Sequence, residues 1–282
     1  MSDYEIAMAY MAIGGIPYYM DMFRNDHTLT QNLNMMYFKN ETIATEFEDV
    51  YTGLFSSSER YIDIVRALSK KFHGMTRSEI LAEAKLKGGG TTSKMLDNLK
   101  ECGIVRTYPR YGAARKVTVY QPVDYFSLFY MNFVDSKAAK YEWNSFLRSS
   151  EHGSRAGHTF EILCSTHSEQ IEYALRIKNA KKNYMWQGES SSGKGAQIDM
   201  VIPAPMERTH YICEMKYSEN EFTISGDYRD RLCNKIEAFK NYGQHKPSHS
   251  ILLVMVTRLG LASSVHNDTV NFSLTLEDLL AF

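Results

Sequence analysis

The sequence predicts an α+β protein in which helices come first and a mixed sheet flanked by helices comes last. Three observations predict this order. Apolar residues recur at helical spacing over most of the first hundred residues. Two strand-like runs, IVRTY and KVTVYQ, then follow one another around PRYGAAR. From about residue 122 onward, helix-like and strand-like segments alternate, which indicates a sheet covered by helices.

The bulk composition is that of an ordinary globular protein. The chain has 282 residues, enough for two domains, with 44% hydrophobic and 23% charged residues. Its net charge of −1 gives no overall attraction to nucleic acid, so any such binding has to come from local patches. No apolar run approaches the roughly 20 residues needed to cross a bilayer, and no signal peptide is apparent. Four cysteines without C-x-x-C spacing indicate reduced thiols in a cytoplasmic protein.

Residues 1–56 are predicted to form a small helical segment. Gly14, Gly15 and Pro17 interrupt its helical pattern, and further helices are predicted over 28–40 and 41–56. A segment of this length encloses little core by itself.

Residues 57–122 have the pattern of a winged helix-turn-helix. An amphipathic helix over 59–72 is followed by a capping box, with Thr76 at the cap and Glu79 three residues later. A third helix ends at Gly103, and the two strand-like runs come directly after it. Three helices followed by a β-hairpin are the winged variant of this motif.

A winged helix suggests DNA as a partner through its third helix and its wing. Basic and amide side chains predicted to face outward are the candidate nucleic-acid contacts: Lys94, Asn98, Arg106, Arg110, Arg115 and Lys116. Basic residues at a hairpin tip suit phosphate contacts, which position a protein without specifying sequence. Asp97 and Glu101 on the same helix reduce the positive field, so a spacer or a protein contact is the alternative.

Residues 123–282 are predicted to form the mixed sheet. QIDMVIP and THYICEMKYS are expected to pair as strands around a short loop containing Pro205. An amphipathic helix, YRDRLCNKIEAFKNYG, precedes ILLVMVT, whose continuous apolar character is typical of a strand covered on both faces. A short strand and a helix beginning at Thr275 complete the region.

The stretch WQGESSSGKGAQIDMVIP contains a near match to the phosphate-binding pattern G-x-x-x-x-G-K. Gly188, Gly193 and Lys194 fit it, but Gly195 stands where Ser or Thr would ligate Mg²⁺. A phosphate loop also opens a helix, whereas a strand is predicted here. The interpretation we favour is a glycine-rich turn that delivers Asp199.

Two carboxylates and one ammonium are the candidate chemistry. Asp199 lies mid-strand, where a carboxylate is normally disfavoured, and Glu214 and Lys216 share one face of the next strand. A hairpin would bring Asp199 beside Glu214, and a bound Mg²⁺ would offset the cost of burying both acids. Lys216 would then orient a water or stabilise negative charge on a phosphate. The alternative is a structural ion pair at an exposed strand edge.

This arrangement resembles the PD-(D/E)xK nuclease-like superfamily, with Asp199…Glu214-Met215-Lys216 in place of its motif and Ile198 in place of the proline. The resemblance implies a restriction-endonuclease-like fold for residues 123–282 and Mg²⁺ or Mn²⁺ held by Asp199 and Glu214. It further implies catalytic roles for Asp199, Glu214, Lys216 and an acidic residue on the preceding helix, for which Glu161 in FEILC fits. Lys235 projects toward the same edge or is a surface lysine.

A wider resemblance covers most of the chain. GGIPYYM, the winged-helix pattern, FEILC, GAQIDMVI, CEMKYS and NKIEAF occur in the order found in the C-terminal part of prokaryotic AAA ATPases of the archaeal type. In that family a P-loop domain precedes this part, and no Walker A motif is present here. Residues 1–56 then correspond to an ATPase lid remnant, and the chain is a fragment or has lost or split off its motor.

The resemblance implies a Mg²⁺-dependent, nuclease-like, DNA-processing protein that is not an ATPase on its own. The alternative is a non-catalytic module that binds DNA or docks onto a protein and acts together with an ATPase domain or subunit.

Overall fold

A computed structural model describes residues 2–39, 42–109, 117–134, 150–191, 193–242 and 248–281. The chain divides into two compact units, one formed by residues 1–107 and 118–152 and the other by residues 108–117 and 153–282. Helices and mixed sheets make up the described residues, as the predicted α+β class requires. The division into 1–56, 57–122 and 123–282 stays a prediction. Within the described residues, none of the helices is both long and apolar enough to cross a membrane.

The first unit opens with helices that follow the predicted punctuation of the sequence. Ser2 and Thr28 cap the first and third of these helices through capping boxes, and the break between the first two falls at Gly14. The helices that begin in the first unit are α1 Asp3–Ile13, α2 Pro17–Met20, α3 Leu29–Asn34, α4 Thr42–Leu54, α5 Ser58–Ser69, α6 Arg77–Glu83, α7 Gly90–Glu101, α8 Tyr125–Phe129 and α9 Ser150–Thr166. Short π-helices, Met35–Lys39 and Tyr130–Val134, extend α3 and α8.

A shared aromatic core holds α8 to the opening helices. Phe126 stacks on Tyr19 with ring centroids 4.7 Å apart, and Tyr130 stacks on Phe47 at 3.9 Å. Tyr51 Oη and Ser127 Oγ are hydrogen-bonded at 2.8 Å within this core. Phe126, Phe129, Tyr130 and Met131 therefore belong to the same core as α1–α5.

A small sheet with strand order β1-β3-β2 accompanies helices α5, α6 and α7, and its first strand lies between α5 and α6. Its strands are β1 Met75–Thr76, β2 Val105–Pro109 and β3 Thr118–Pro122. The predicted capping box at Thr76 and Glu79 opens α6. Gly74 has φ +85°, and a Cβ there would lie 2.6 Å from the carbonyl oxygen of Tyr120, so the approach to β1 requires glycine.

The second unit is built on a five-stranded mixed sheet of order β4-β5-β6-β7-β8. The strands are β4 Tyr184–Glu189, β5 Gly195–Ala204, β6 Thr209–Lys216, β7 Ser250–Thr257 and β8 Phe272–Thr275. Strands β4, β5 and β6 pair antiparallel, whereas β6, β7 and β8 pair parallel. The remaining helices are α10 Ser168–Ala174, α11 Gly226–Tyr242 and α12 Leu276–Leu280.

The paired strands predicted around Pro205 are β5 and β6. A 3-10 turn, Pro205–Glu207, joins them, and Met200 lies opposite Cys213 in their register. Helix α11 lies in the crossover from β6 to β7, as parallel pairing requires. Its buried residues Leu232 and Phe239 belong to the core cluster on that face of the sheet.

Strand β4 was not predicted, and it explains the phosphate-loop pattern. Ser190 and Lys194 close the turn between β4 and β5, where the amide of Ser190 donates to the carbonyl oxygen of Lys194 at 2.8 Å. The turn therefore opens a strand and no helix. Gly188 lies against the ring of Trp186, to which an added Cβ would approach within 2.5 Å. Packing against this fully buried tryptophan accounts for the glycine.

A β-bulge interrupts β5 at the candidate site. Tyr184 pairs with Val201 and Trp186 pairs with Ile198, so β5 has two residues, Asp199 and Met200, where β4 has one. Ile198 and Val201 belong to the same core cluster although they are three positions apart in the strand. A regular strand would place them on opposite faces of the sheet. The bulge therefore changes which face of the sheet the side chains around Asp199 point to.

Candidate functional site

The predicted acidic residues and lysine meet where β5 and β6 separate. Lys216 Nζ lies 3.0 Å from Glu214 Oε1 and 3.9 Å from Asp199 Oδ2. Asp199 and Glu214 are buried, with 7% and 3% of their surfaces exposed, while the Lys216 side chain is 27% exposed. The three side chains therefore lie close together, and among them only Lys216 is substantially exposed to solvent.

The Asp199 carboxylate accepts a backbone hydrogen bond at the point where β5 and β6 stop pairing. The regular pairing of β5 with β6 ends at Met200 and Cys213. Beyond it, the backbone amide of Met215 donates to Asp199 Oδ2 at 3.0 Å. The carboxylate thus satisfies a donor that the strand ladder would otherwise satisfy, and it does so from the bulge.

Helix α11 supplies two further side chains that sequence reasoning missed or left open. Tyr228 Oη donates to Glu214 Oε1 at 2.8 Å, and Lys235 Nζ donates to Glu214 Oε2 at 2.5 Å. Tyr228 and Lys235 are seven residues apart, which places them on one face of a helix two turns apart. That spacing was the signal available in the sequence, and it becomes informative once α11 is known to cover Glu214.

Burial and charge give the two carboxyl groups opposite pKa shifts. Burial, together with the neighbouring Glu214 and Glu161, raises the pKa of Asp199 to about 8. Burial also disfavours ionised Glu214, but Lys216 and Lys235 outweigh it and lower the pKa of Glu214. Burial opposes the charge on Lys216 as well, and the acidic residues outweigh it and raise the pKa of this ammonium. The site therefore keeps an ionised Glu214 and a lysinium beside a carboxyl that holds its proton.

Glu161 lies on α9, close enough to the site to act on its charges. It raises the pKa values of both Asp199 and Lys216. The preceding residue, Phe160, has its ring 6.1 Å from that of Tyr217, which directly follows Lys216. The Glu161 side chain is 17% exposed and lies 3.6 Å from His158 Nδ1. Its supporting role at a metal stays a prediction.

The donor set fits a hard divalent cation. Asp199 and Glu214 offer carboxylate oxygens, the ligands that Mg²⁺ and Mn²⁺ prefer, and Glu161 adds a negative charge that acts on Asp199. With Lys216 and Lys235 as the opposing charges, three carboxylates face two ammonium groups when all are ionised. A cation would offset the remaining negative charge and displace the proton from Asp199.

Without a metal, the contribution of Asp199 to the stability of the protein is expected to fall as pH rises from about 4 to about 8. Between the ordinary pKa of an aspartate and the raised pKa of Asp199, the folded state binds one proton more than the unfolded state. The free energy of unfolding then decreases by at most about 1.4 kcal/mol per pH unit. Urea unfolding in EDTA across this range, compared with Asp199→Asn, measures the effect. A difference between the two proteins that does not change with pH would contradict it.

The predicted nucleic-acid contacts occupy different environments. Lys94 is exposed on α7. Asn98 Nδ2 donates to Tyr61 Oη at 2.8 Å, and Arg106 Nε donates to Gln121 Oε1 at 2.7 Å, so both make contacts within the protein. Three further predicted contacts, Arg110, Arg115 and Lys116, lie outside the described residues. Binding of nucleic acid by this set stays a prediction.

A cleft of about 380 Å³ adjoins the carboxylates, between the start of β5 and α11. Lys194, Arg231 and Lys235 line it, as do Asp227 and Asp230. Because Lys235 also contacts Glu214, the cleft and the carboxylate site share one side chain.

No protein-family model and no curated protein matches this chain. Among solved structures, the chain is similar to Can2 from Sulfobacillus thermosulfidooxidans in complex with cyclic tetra-adenylate (cA4). The two are 14% identical, the match covers 89% of this chain and 58% of Can2, and the TM-score is 0.27. A superposition of this kind does not establish a common fold.

Proposed function

We propose that this protein cleaves phosphodiester bonds of DNA with the help of Mg²⁺ or Mn²⁺. The observation that carries the proposal is the convergence of two buried carboxylates and a lysine where β5 and β6 separate. Residues 123–282 would form a restriction-endonuclease-like domain of the PD-(D/E)xK type. The whole chain would be the C-terminal part of an archaeal-type AAA ATPase family protein.

Each side chain has a role that follows from its contacts. Asp199 and Glu214 would hold the ion, and Glu161 would support it directly or through water. A bound divalent ion supplies a more acidic water and neutralises charge on the phosphate. Lys216 donates to Glu214 Oε1 and to the carbonyl oxygen of Met215 at 3.0 Å each, which holds its ammonium beside the carboxylates. From there the ammonium would stabilise the negative charge that grows on a phosphate during attack.

Incubation of the full chain with plasmid, linear duplex and single-stranded DNA tests the proposal. We expect cleavage in Mg²⁺ or Mn²⁺, none in EDTA, and none in Asp199→Asn, because this variant removes a ligand charge from the ion. Glu277→Gln, which changes an exposed carboxylate on α12, is the matched control and is expected to cleave like the wild type. Cleavage that persists in Asp199→Asn would end the assignment.

We further propose that residues 57–122 bind DNA as a winged helix-turn-helix, a role the protein would also have if it acts without cleavage. The order α5, α6, α7 followed by β2 and β3 supports this, as does the exposed position of Lys94 on α7.

Affinity for DNA is expected to fall steeply as salt rises, because phosphate contacts release counterions when they form. Measurements in EDTA at two salt concentrations give the slope. Arg110→Ala combined with Arg115→Ala is expected to weaken binding and flatten that slope. An unchanged slope would exclude the wing from DNA contact.

A further inference from the structure

We propose that Lys235 alternates between Glu214 and the phosphodiester backbone of a strand in the adjoining cleft. Binding of the strand would then free Glu214 for a divalent cation. This inference rests on the proposed function and adds a positioning residue and a strand-binding subsite to it.

The hydrogen bonds to Glu214 indicate which donor a cation would displace. Its Oε1 accepts from Tyr228 at 2.8 Å and from Lys216 at 3.0 Å, and its Oε2 accepts from Lys235 at 2.5 Å. Freeing Oε1 requires two contacts to break, whereas moving Lys235 opens Oε2. Lys235 is therefore the competitor that a cation meets first.

Lys235 has somewhere to move. Its side chain is 21% exposed and lines the cleft between the start of β5 and α11. Arg231, one helical turn earlier, lines the same cleft, and its guanidinium carbon lies 4.9 Å from the centre of the Tyr228 ring. Lys194 lines it as well, from the turn that precedes β5. These cations lie within one space next to the carboxylate site.

The two acids of the cleft belong to the beginning of α11. Asp227 and Asp230 precede Arg231 in the helix, so the carboxylates come before the cations along its axis. Three cations, Lys194, Arg231 and Lys235, face these two acids in the cleft, which leaves one excess positive charge, and Asp227 lies about two helical turns from Lys235. The chemistry that fits the Lys235 end is that of a monoanionic phosphodiester.

The movement of Lys235 from Glu214 to a phosphate leaves the number of ion pairs unchanged. When the Lys235 ammonium moves from Glu214 to a phosphate, one ion pair replaces another, and a divalent ion takes the vacated position at Glu214. Strand and cation therefore favour each other's binding, and the coupling has the same size in both directions. If Lys235 served only to neutralise Glu214, replacing it would change the free energy of unfolding. The effect of the strand on Mn²⁺ affinity would then be the same in the wild type and in the variant.

Mn²⁺ binding to the full chain, measured by titration calorimetry, tests this directly. The probe is a short, cleavage-resistant phosphorothioate oligothymidylate, and a methylphosphonate oligothymidylate of equal length provides the uncharged control. We expect the charged strand to raise the Mn²⁺ affinity of the wild type about tenfold. A nearby positive charge lowers the proton affinity of a carboxylate by about tenfold or more, and we expect its removal from Glu214 to affect Mn²⁺ similarly. The neutral strand is expected to leave it unchanged.

In the absence of the strand, Lys235→Met is expected to bind Mn²⁺ about tenfold more tightly than the wild type. Adding the charged strand is expected to change the Mn²⁺ affinity of this variant little. Lys235→Gln, which keeps a neutral donor for Glu214, provides the same comparison should the methionine variant fail to fold. Arg231→Ala is expected to weaken strand binding but not Mn²⁺ binding in its absence. Lys240→Met, which changes an exposed lysine of the same helix, is expected to resemble the wild type.

The outcomes separate this inference from the proposed function. Mn²⁺ binding that is equal with and without the charged strand, in the wild type and in Lys235→Met, overturns the exchange while leaving the metal site in place. Failure of every variant to bind Mn²⁺, with or without strand, overturns the proposed function itself. Coupling in the wild type that disappears in both Lys235 variants supports the exchange.

Discussion

Replacing Lys216 by methionine is expected to slow metal-dependent cleavage at least about a hundredfold, the usual loss when one donor to developing charge is removed. The Lys216 ammonium lies 3.0 Å from Glu214 and 3.9 Å from Asp199, so it would lie beside a phosphate held by an ion at these two carboxylates. Methionine keeps much of the length of the side chain without its charge. Mn²⁺ affinity is expected to be retained or to rise, because a competing positive charge is lost.

Single-turnover cleavage and Mn²⁺ titration on the same preparation separate the two effects. A loss of rate with retained Mn²⁺ binding assigns Lys216 to the chemical step. Lys240→Met provides the control for removing a lysine charge from the second unit. A Lys216→Met variant that cleaves at nearly the wild-type rate would remove Lys216 from the catalytic set.

Removing both lysines is expected to destabilise the metal-free protein by about 3–5 kcal/mol, as when a buried charge loses its partners. Glu214 is 3% exposed and has its pKa lowered by Lys216 and Lys235. In Lys216→Met combined with Lys235→Met, the Tyr228 hydroxyl remains to stabilise the carboxylate. Each single variant is expected to lose less, because one ammonium stays in contact.

Urea unfolding in EDTA measures this loss, and Glu214→Gln in the double variant provides the decisive control. With the buried charge gone, the lysines are no longer needed, so most of the lost stability is expected to return. Mn²⁺ is also expected to restore stability to the double variant, because the ion replaces the lysines as a counter-charge. A double variant as stable as the wild type would show that Glu214 is ionised without help from these lysines.

The sequence predicted those parts of the fold that depend on local signals. The capping box at Thr76 and the helix start at Thr275 were predicted from the sequence, and both threonines cap helices in the structure. Strands β5 and β6 and their short connection were predicted from apolar runs around Pro205. Strand β4 was missed, because YMWQGE leads directly into a glycine- and serine-rich stretch that is typical of a loop.

The proximity of Asp199, Glu214 and Lys216 was predictable because a hairpin with a short turn has few alternative registers. The bulge at Asp199 was not, since it depends on how β4 pairs with β5, and β4 itself was unrecognised. Tyr228 and Lys235 reach Glu214 across a crossover connection, and no local pattern specifies where a crossover helix docks.

The site's acids and its covering helix join the fold over different spans of chain. Asp199 and Glu214 come from adjacent strands joined by a four-residue connection, so closing one short loop brings the acids together. Tyr228 and Lys235 arrive only when the α11 crossover docks and β7 aligns parallel to β6, a slower, non-local event. The two acids and Lys216 therefore come together in a local step, whereas the neutralisation of Glu214 by Lys235 depends on the docking of α11.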